Sequence, residues 1–213
     1  AHLLVKSGKE EYKKIVKRFE QDRDADLKLA ALHALEDMGD EKSLQAVIQL
    51  YDQSEDIRFR GRIINVLEDF ENPAAFTKLK EIALKESEPS LRKKAVYAMN
   101  DMEKQDVTPV LMQIVQNDPD YHVKRVAMHS LGEQDSPKII GYLTDYAIGE
   151  TNPKLARYAV NALENRLEEK KDATILPVLS KVIKQAKTIE ARKAAIYAFE
   201  EADPVIAGEM LYD

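Results

Sequence analysis

The chain has no cysteine and no tryptophan, and only seven glycines and eight prolines in 213 residues. Without cysteine there can be no disulfides and no thiolate metal sites. The same absence suits a reducing or an oxidising compartment. So few glycines and prolines disfavour a turn-rich β protein and favour helices. Strand formers nowhere alternate with polar residues for long. No apolar run approaches 18 residues, so no membrane contact is expected of this chain. No signal peptide is visible. Positive charge is also short, with a net charge of −6. Nucleic-acid binders usually carry a positive excess, because phosphate contacts supply much of their affinity. No nucleic-acid partner is therefore expected.

What is present is a repeat. The stretches LKLAALHALEDM from Leu27, FRGRIINVLEDF from Phe59 and LRKKAVYAMNDM from Leu91 resemble one another. VKRVAMHSLGEQ from Val123, LARYAVNALENR from Leu155 and ARKAAIYAFEEA from Ala191 continue the series. Their starts are 32, 32, 32, 32 and 36 residues apart. The extra four residues fall in the charged stretch 166–173, which reads as a lengthened loop. Counting each start as position zero, positions zero, four, five and eight are apolar almost throughout. At about 100° per residue they share one helical face. A second apolar pattern precedes each start by 15, 12, 11 and 8 residues, as in Leu44, Val47, Ile48 and Tyr51. Each repeat is thus a pair of amphipathic helices.

The joints agree. Three residues before zero stand Asp24, Asp56, Glu88, Asp120, Asn152 and Thr188. Asp, Asn and Thr are good caps for a helix N-terminus, and Glu is a weaker one. Pro89 and Pro153 follow at the first helical position, where proline forfeits no hydrogen bond. One residue after zero stand Lys28, Arg60, Arg92, Lys124, Ala156 and Arg192. Each basic residue in the first four lies four after its capping acid, a spacing at which helical neighbours can pair.

This combination of capping acid, apolar residue, Lys or Arg, and paired Ala/Leu resembles HEAT repeats. It looks most like the short bacterial form often called phycobilisome-lyase-like. The resemblance covers essentially the whole chain and implies an all-α, right-handed α-α superhelix of about six helix pairs, an armadillo-like solenoid. First helices would line the convex side and second helices the concave side. The repeats are expected near 9–40, 41–72, 73–104, 105–136, 137–171 and 172–203. Partial repeats at 1–8 and 204–213 suggest a segment of a longer protein. In the family the basic residue after zero joins a ladder between adjacent repeats. The ladder would break at Asn152/Ala156 and at Thr188. Either the cytoplasm or a bacterial cell envelope would suit such a chain.

Catalytic constellations are missing. Metal binding needs several ligands on one ion. His33 and His129 share a column three repeats apart, close to 30 Å at about 9–10 Å per helix layer. His122 and His129 lie seven residues apart on one helix, about 10 Å along its axis. Ser130 adjoins His129, but neighbouring helical side chains point about 100° apart. Glycine-rich phosphate loops, nucleophile elbows and zinc motifs are absent. The His-Glu dipeptides of HEAT-type iron hydroxylases are absent too. No enzyme activity, cofactor or metal is expected. Bilin-lyase chemistry rests on the family name alone. HEAT-like DNA glycosylases present a basic groove with aromatics, which this acidic, tryptophan-free chain does not match.

The solvent-facing side of the second helices is the remaining candidate. Position six, at about 240° from zero, points furthest from the apolar arc. It holds His33, Asn65, Tyr97, His129, Asn161 and Tyr197. A face chosen only for helicity would favour Lys, Glu, Gln or Arg, and none of the six is one of these. Position two supplies a basic edge of Lys93, Arg125, Arg157 and Lys193. Position ten supplies an acidic edge of Asp37, Asp69 and Asp101. The expected function is a protein-interaction scaffold whose concave strip takes a peptide or helix from another protein. The alternative is a lyase-type or other enzyme-associated HEAT domain acting on a bound small molecule. A closed apolar pocket between helices would favour the alternative. Packing between repeats, or descent from a duplicated three-repeat unit, would equally account for the His-Asn-Tyr order.

Overall fold

The computed structural model describes residues 25–102, 104–134, 136–170 and 174–202. Among them are eleven α-helices and no strand. In chain order they are α1 Ala25–Met38, α2 Glu41–Gln53, α3 Ile57–Asp69, α4 Pro73–Lys85, α5 Pro89–Asp101 and α6 Thr108–Asn117. There follow α7 Tyr121–Glu133, α8 Pro137–Gly149, α9 Pro153–Lys170, α10 Ile175–Gln185 and α11 Ile189–Ala202. The odd-numbered helices contain the stretches that begin at position zero. The expected first helix of the first repeat and both partial repeats lie outside the described residues.

The chain divides into two compact units, Ala1–Val107 and Thr108–Asp213. In the first, α1, α3 and α5 pack in sequence, with α4 against α5 and α2 against α3. In the second, α9 packs against α7, α8 and α11, while α10 packs against α11. The second helices α3 and α5 run parallel. Glu68 and Asp101, both in final turns, feel each other's charge. A Cβ on Gly61, early in α3, would touch Leu91 at the start of α5.

The second-helix face is built as the periodicity requires. Phe59, Ile63, Ile64 and Leu67 are buried in α3, and Leu91, Ala95, Val96 and Met99 in α5. Val123, Ala127, Met128 and Leu131 repeat the set in α7, and Leu155, Ala159, Val160 and Leu163 in α9. Each fully buried leucine stabilises by about 1.5–3 kcal/mol relative to exposure. The first helices keep part of the expected face: in α2 Leu44, Val47 and Tyr51 are buried at 15, 12 and 8 before zero. In α4 the buried residues Ala75, Leu79, Ile82 and Ala83 lie 16, 12, 9 and 8 before zero, and in α10 Ile175, Leu179 and Val182 lie 16, 12 and 9 before it. Ile48 is only half-buried, and its counterpart Lys80 is exposed.

Caps behave as local chemistry dictates. Asp56 accepts the amides of Arg58 and Phe59, and Asp120 those of His122 and Val123. Asn152 accepts Lys154 and Leu155, and Thr188 Oγ1 accepts Ala191. Glu88 reaches only the Ser90 amide, at 3.3 Å. The chain leaves α1 through Gly39, whose φ of 59° suits glycine.

Two expectations are corrected. Residues 166–170 are not loop, because α9 continues to Lys170. The sequence there is rich in strong helix formers, and Arg166 is anchored in the interior. In the second, third and fourth repeats the basic residue after zero also finds partners other than its own capping acid. Asp56 and Asp120 spend their oxygens on amides instead. Arg60 forms an ion pair with Glu86 and lies over the Tyr51 ring, 4.3 Å from its centroid. Arg92 donates to the carbonyls of Glu86 and Ser87, Lys124 to that of Gln116 and Arg192 to that of Ala186. These side chains satisfy carbonyls that the end of a preceding helix leaves open.

Candidate partner-binding face

The second helices are buried on one side, so their opposite side is what they offer to solvent. His33, Asn65 and Tyr97 are all exposed in the first unit, on α1, α3 and α5. His129, Asn161 and Tyr197 are all exposed in the second, on α7, α9 and α11. Tyr97 is 50% and Tyr197 63% exposed, unusual openness for large aromatic side chains in mid-helix. In both units the histidine meets a carboxylate one turn on. His33 Nδ1 lies 3.1 Å from Glu36 and His129 Nδ1 3.6 Å from Glu133.

The edges have the expected sign. Asp37, Asp69 and Asp101 are exposed at the ends of α1, α3 and α5. Arg125, Arg157 and Lys193 are exposed near the starts of α7, α9 and α11, and Lys93 is half-buried in α5. This pattern opposes the helix dipole, which favours acids at the N-terminus and bases at the C-terminus by about 0.3–1 kcal/mol each. None of α3, α5 and α7 has a base in its last turn or an acid in its first. First helices are mixed: Glu41 opens α2 and Lys85 and Lys184 close α4 and α10, but Asp52 stands in the last turn of α2 and Lys138 in the first turn of α8.

The acidic edge is under electrostatic load. Burial, then Asp101 and Asp69, holds the Glu68 carboxyl above its ordinary value. Burial, then the Glu36 charge and a hydrogen bond with it, does the same for Asp69. A raised carboxyl weakens the fold at neutral pH, and the penalty vanishes as pH falls through the folded value to the unfolded one. Glu86 and Glu150 behave oppositely. Burial pushes each up, but other contacts outweigh it. For Glu86 these are the Tyr51 hydroxyl, the Glu88 amide, Arg60 and Ser87. For Glu150 they are the Asn152 amide, the Tyr146 hydroxyl, the Thr151 amide and Lys124. Their stabilisation is complete above the unfolded value of 4.5 and is lost as pH falls through the lowered folded one. Thermal midpoints should therefore rise as pH falls from neutrality toward the unfolded glutamate value of 4.5, and fall once pH drops through the lowered values of Glu86 and Glu150. The rise should flatten in a Glu68→Gln/Asp69→Asn variant. A rise unchanged in that variant would assign it to other groups.

A groove of about 390 Å³ is lined by Tyr51, Asp52, Arg60, Lys78, Glu81 and Glu86, among others. Its charges are already matched, with Lys78 2.6 Å from Asp52 and 3.2 Å from Glu81. It is not the closed apolar pocket that small-molecule chemistry would call for. Among the described residues no three His, Asp or Glu side chains converge to hold a metal ion. No helix among them is long and apolar enough to cross a membrane.

The carboxylate partners of the basic residues escaped the sequence reading. Glu86 and Glu150 lie five before zero, where Asp22 and Asp118 also stand. That recurring acid was the available signal. No curated protein matches the chain. A family model described as HEAT repeats matches residues 12–100 and again 78–163. With well over half its length matched, and with helix pairs stacking through one repeated apolar face, the chain belongs to the HEAT-repeat family.

Proposed function

We propose that this chain is a protein-interaction scaffold that binds a segment of another protein along the concave face of its second helices. HEAT repeats generally mediate protein–protein interactions. The observation that carries the reading is the exposed column His33, Asn65, Tyr97, His129, Asn161 and Tyr197. Each is solvent-facing, and none is a residue that helicity alone would favour. Tyrosine offers apolar area and a hydroxyl at modest entropic cost. Asparagine pairs with a partner's backbone through donor and acceptor together. In the first unit Asp37, Asp69 and Asp101 lie on one flank of these residues, with Lys93 on the other; in the second unit Arg125, Arg157 and Lys193 lie on the basic flank. Within the family, we read the 32-residue period and short Ala/Leu-paired helices as support for a phycobilisome-lyase-like form.

The test uses peptides selected against the protein from a random display library. Tyr97→Ala should weaken the selected peptides by roughly 1–2 kcal/mol, as interface tyrosines often do. It should leave the melting midpoint nearly unchanged, because an exposed side chain contributes little to the core. A large stability loss with unaltered binding would identify the column as a packing seam.

A further inference from the structure

In the second unit, Arg125, Arg157 and Lys193 are exposed at the same position of α7, α9 and α11. None has an acidic partner among the described residues. The two arginines converge on one ring: each guanidinium carbon is 5.8 Å from the centroid of Tyr158. Tyr158 is half-buried on α9, so it is a fixed platform. Contact with a ring face leaves a guanidinium's edge donors available for a carboxylate, which it can bind through two parallel hydrogen bonds.

We propose that this rim holds an extended acidic segment of a partner protein with a carboxylate at every third residue. The proposal rests on reading the second-helix face as the binding face, and it names the partner's chemistry. Packed helices lie about 8–10 Å apart, so one base per helix recurs at that interval. An extended chain in polyproline II geometry advances about 9.3 Å in three residues. Carboxylates at every third position therefore meet Arg125, Arg157 and Lys193 in turn. Contiguous acids would place most of their charge between helices. Nucleic acid fits less well, since the chain's net charge is −6.

The experiment compares two fluorescein-labelled twelve-residue peptides of identical composition on the full chain. One carries glutamate at every third position among alanine and serine, and the other carries its four glutamates in a row. The spaced peptide should bind about tenfold or more tighter, and more weakly as salt rises. Arg157→Glu and Arg125→Glu should each remove most of that binding, with Arg157→Gln intermediate and all three variants unaltered in urea midpoint. Equal binding of the two peptides, or full binding by Arg157→Glu, overturns the proposal. Tyr97→Ala distinguishes the failures. If display-selected peptides depend on Tyr97 while the spaced glutamate peptide does not bind, the face is a binding site for other chemistry. If neither dependence is found, the face reading fails as well.

Discussion

Replacing Arg166 by methionine should lower the stability of the chain by about 2–4 kcal/mol, more than any change on the candidate binding face. The residue is only 5% exposed, and it leaves α9 to reach the end of α7. Its Nη1 donates to the carbonyl of Gly132 at 3.2 Å and to that of Gln134. The last carbonyls of a helix have no partner within it and carry its negative pole. A guanidinium there answers both needs at once. Methionine would keep much of the volume and none of the donors. It would leave buried acceptors unsatisfied, each costing about 1–3 kcal/mol. Urea unfolding of Arg166→Met beside Arg157→Met separates this from a general charge effect. The exposed Arg157 variant should lie within about 0.5 kcal/mol of the parent. A loss below about 1 kcal/mol at Arg166 would mean that water replaces the guanidinium.

Arg166 also shows where sequence reading stops. It fell in a stretch read as loop, since four extra residues break the 32-residue period there. Nothing local announces that one of them crosses to a helix end 32 residues earlier. N-caps were legible because each depends on two or three neighbouring amides, as with Asp56 and Asp120. The apolar arc of the second helices was legible because six copies repeat it. The first-helix face was legible in α2 at Leu44, Val47 and Tyr51 and missed at eleven before zero, where Ile48 is only half-buried and Lys80 is exposed. The partner of Arg60 was missed because it stands 26 residues later, on the next repeat. Such a pairing depends on how repeats stack, which no single helix encodes.

The candidate face was legible to the extent that exposure is an angle. Position six points away from the core in every second helix, and all six residues are solvent-facing. Which of those residues meets a partner is a separate matter of chemistry. The charge pattern speaks to that more directly. In α3 and α5 the acids Asp69 and Asp101 close the helix, at the end where the dipole disfavours a carboxylate. Asp69 and Glu68 also carry raised carboxyls. Residues retained against stability are the ones whose removal should stabilise the fold while weakening its binding.

Gly132→Ala should destabilise the chain by about 1–3 kcal/mol, although alanine is ordinarily the better helix former. A Cβ at this position would lie 2.7 Å from the carbonyl oxygen of Ala162 and 3.4 Å from two further backbone atoms of that residue. Backbone cannot swing aside as the tip of a lysine can, so α7 and α9 must separate. Gly141 supplies the opposite case nine residues later. It is exposed within α8, and a Cβ there would meet nothing within 4 Å. Gly141→Ala should therefore stabilise by about 0.5–1 kcal/mol. The same substitution takes opposite signs because one glycine admits a neighbouring helix and the other admits only water. Function should follow packing. His129 and Arg125 ride on α7, and Asn161 and Tyr158 on α9, so parting these helices spreads the binding column and loosens both arginines from their shared ring. Gly132→Ala should thus weaken the spaced glutamate peptide as well as the fold, whereas Gly141→Ala should leave that binding unchanged. Urea midpoints and peptide titrations on the two variants test both halves. Stabilisation by Gly132→Ala would show that α7 and α9 are not held together at this crossing.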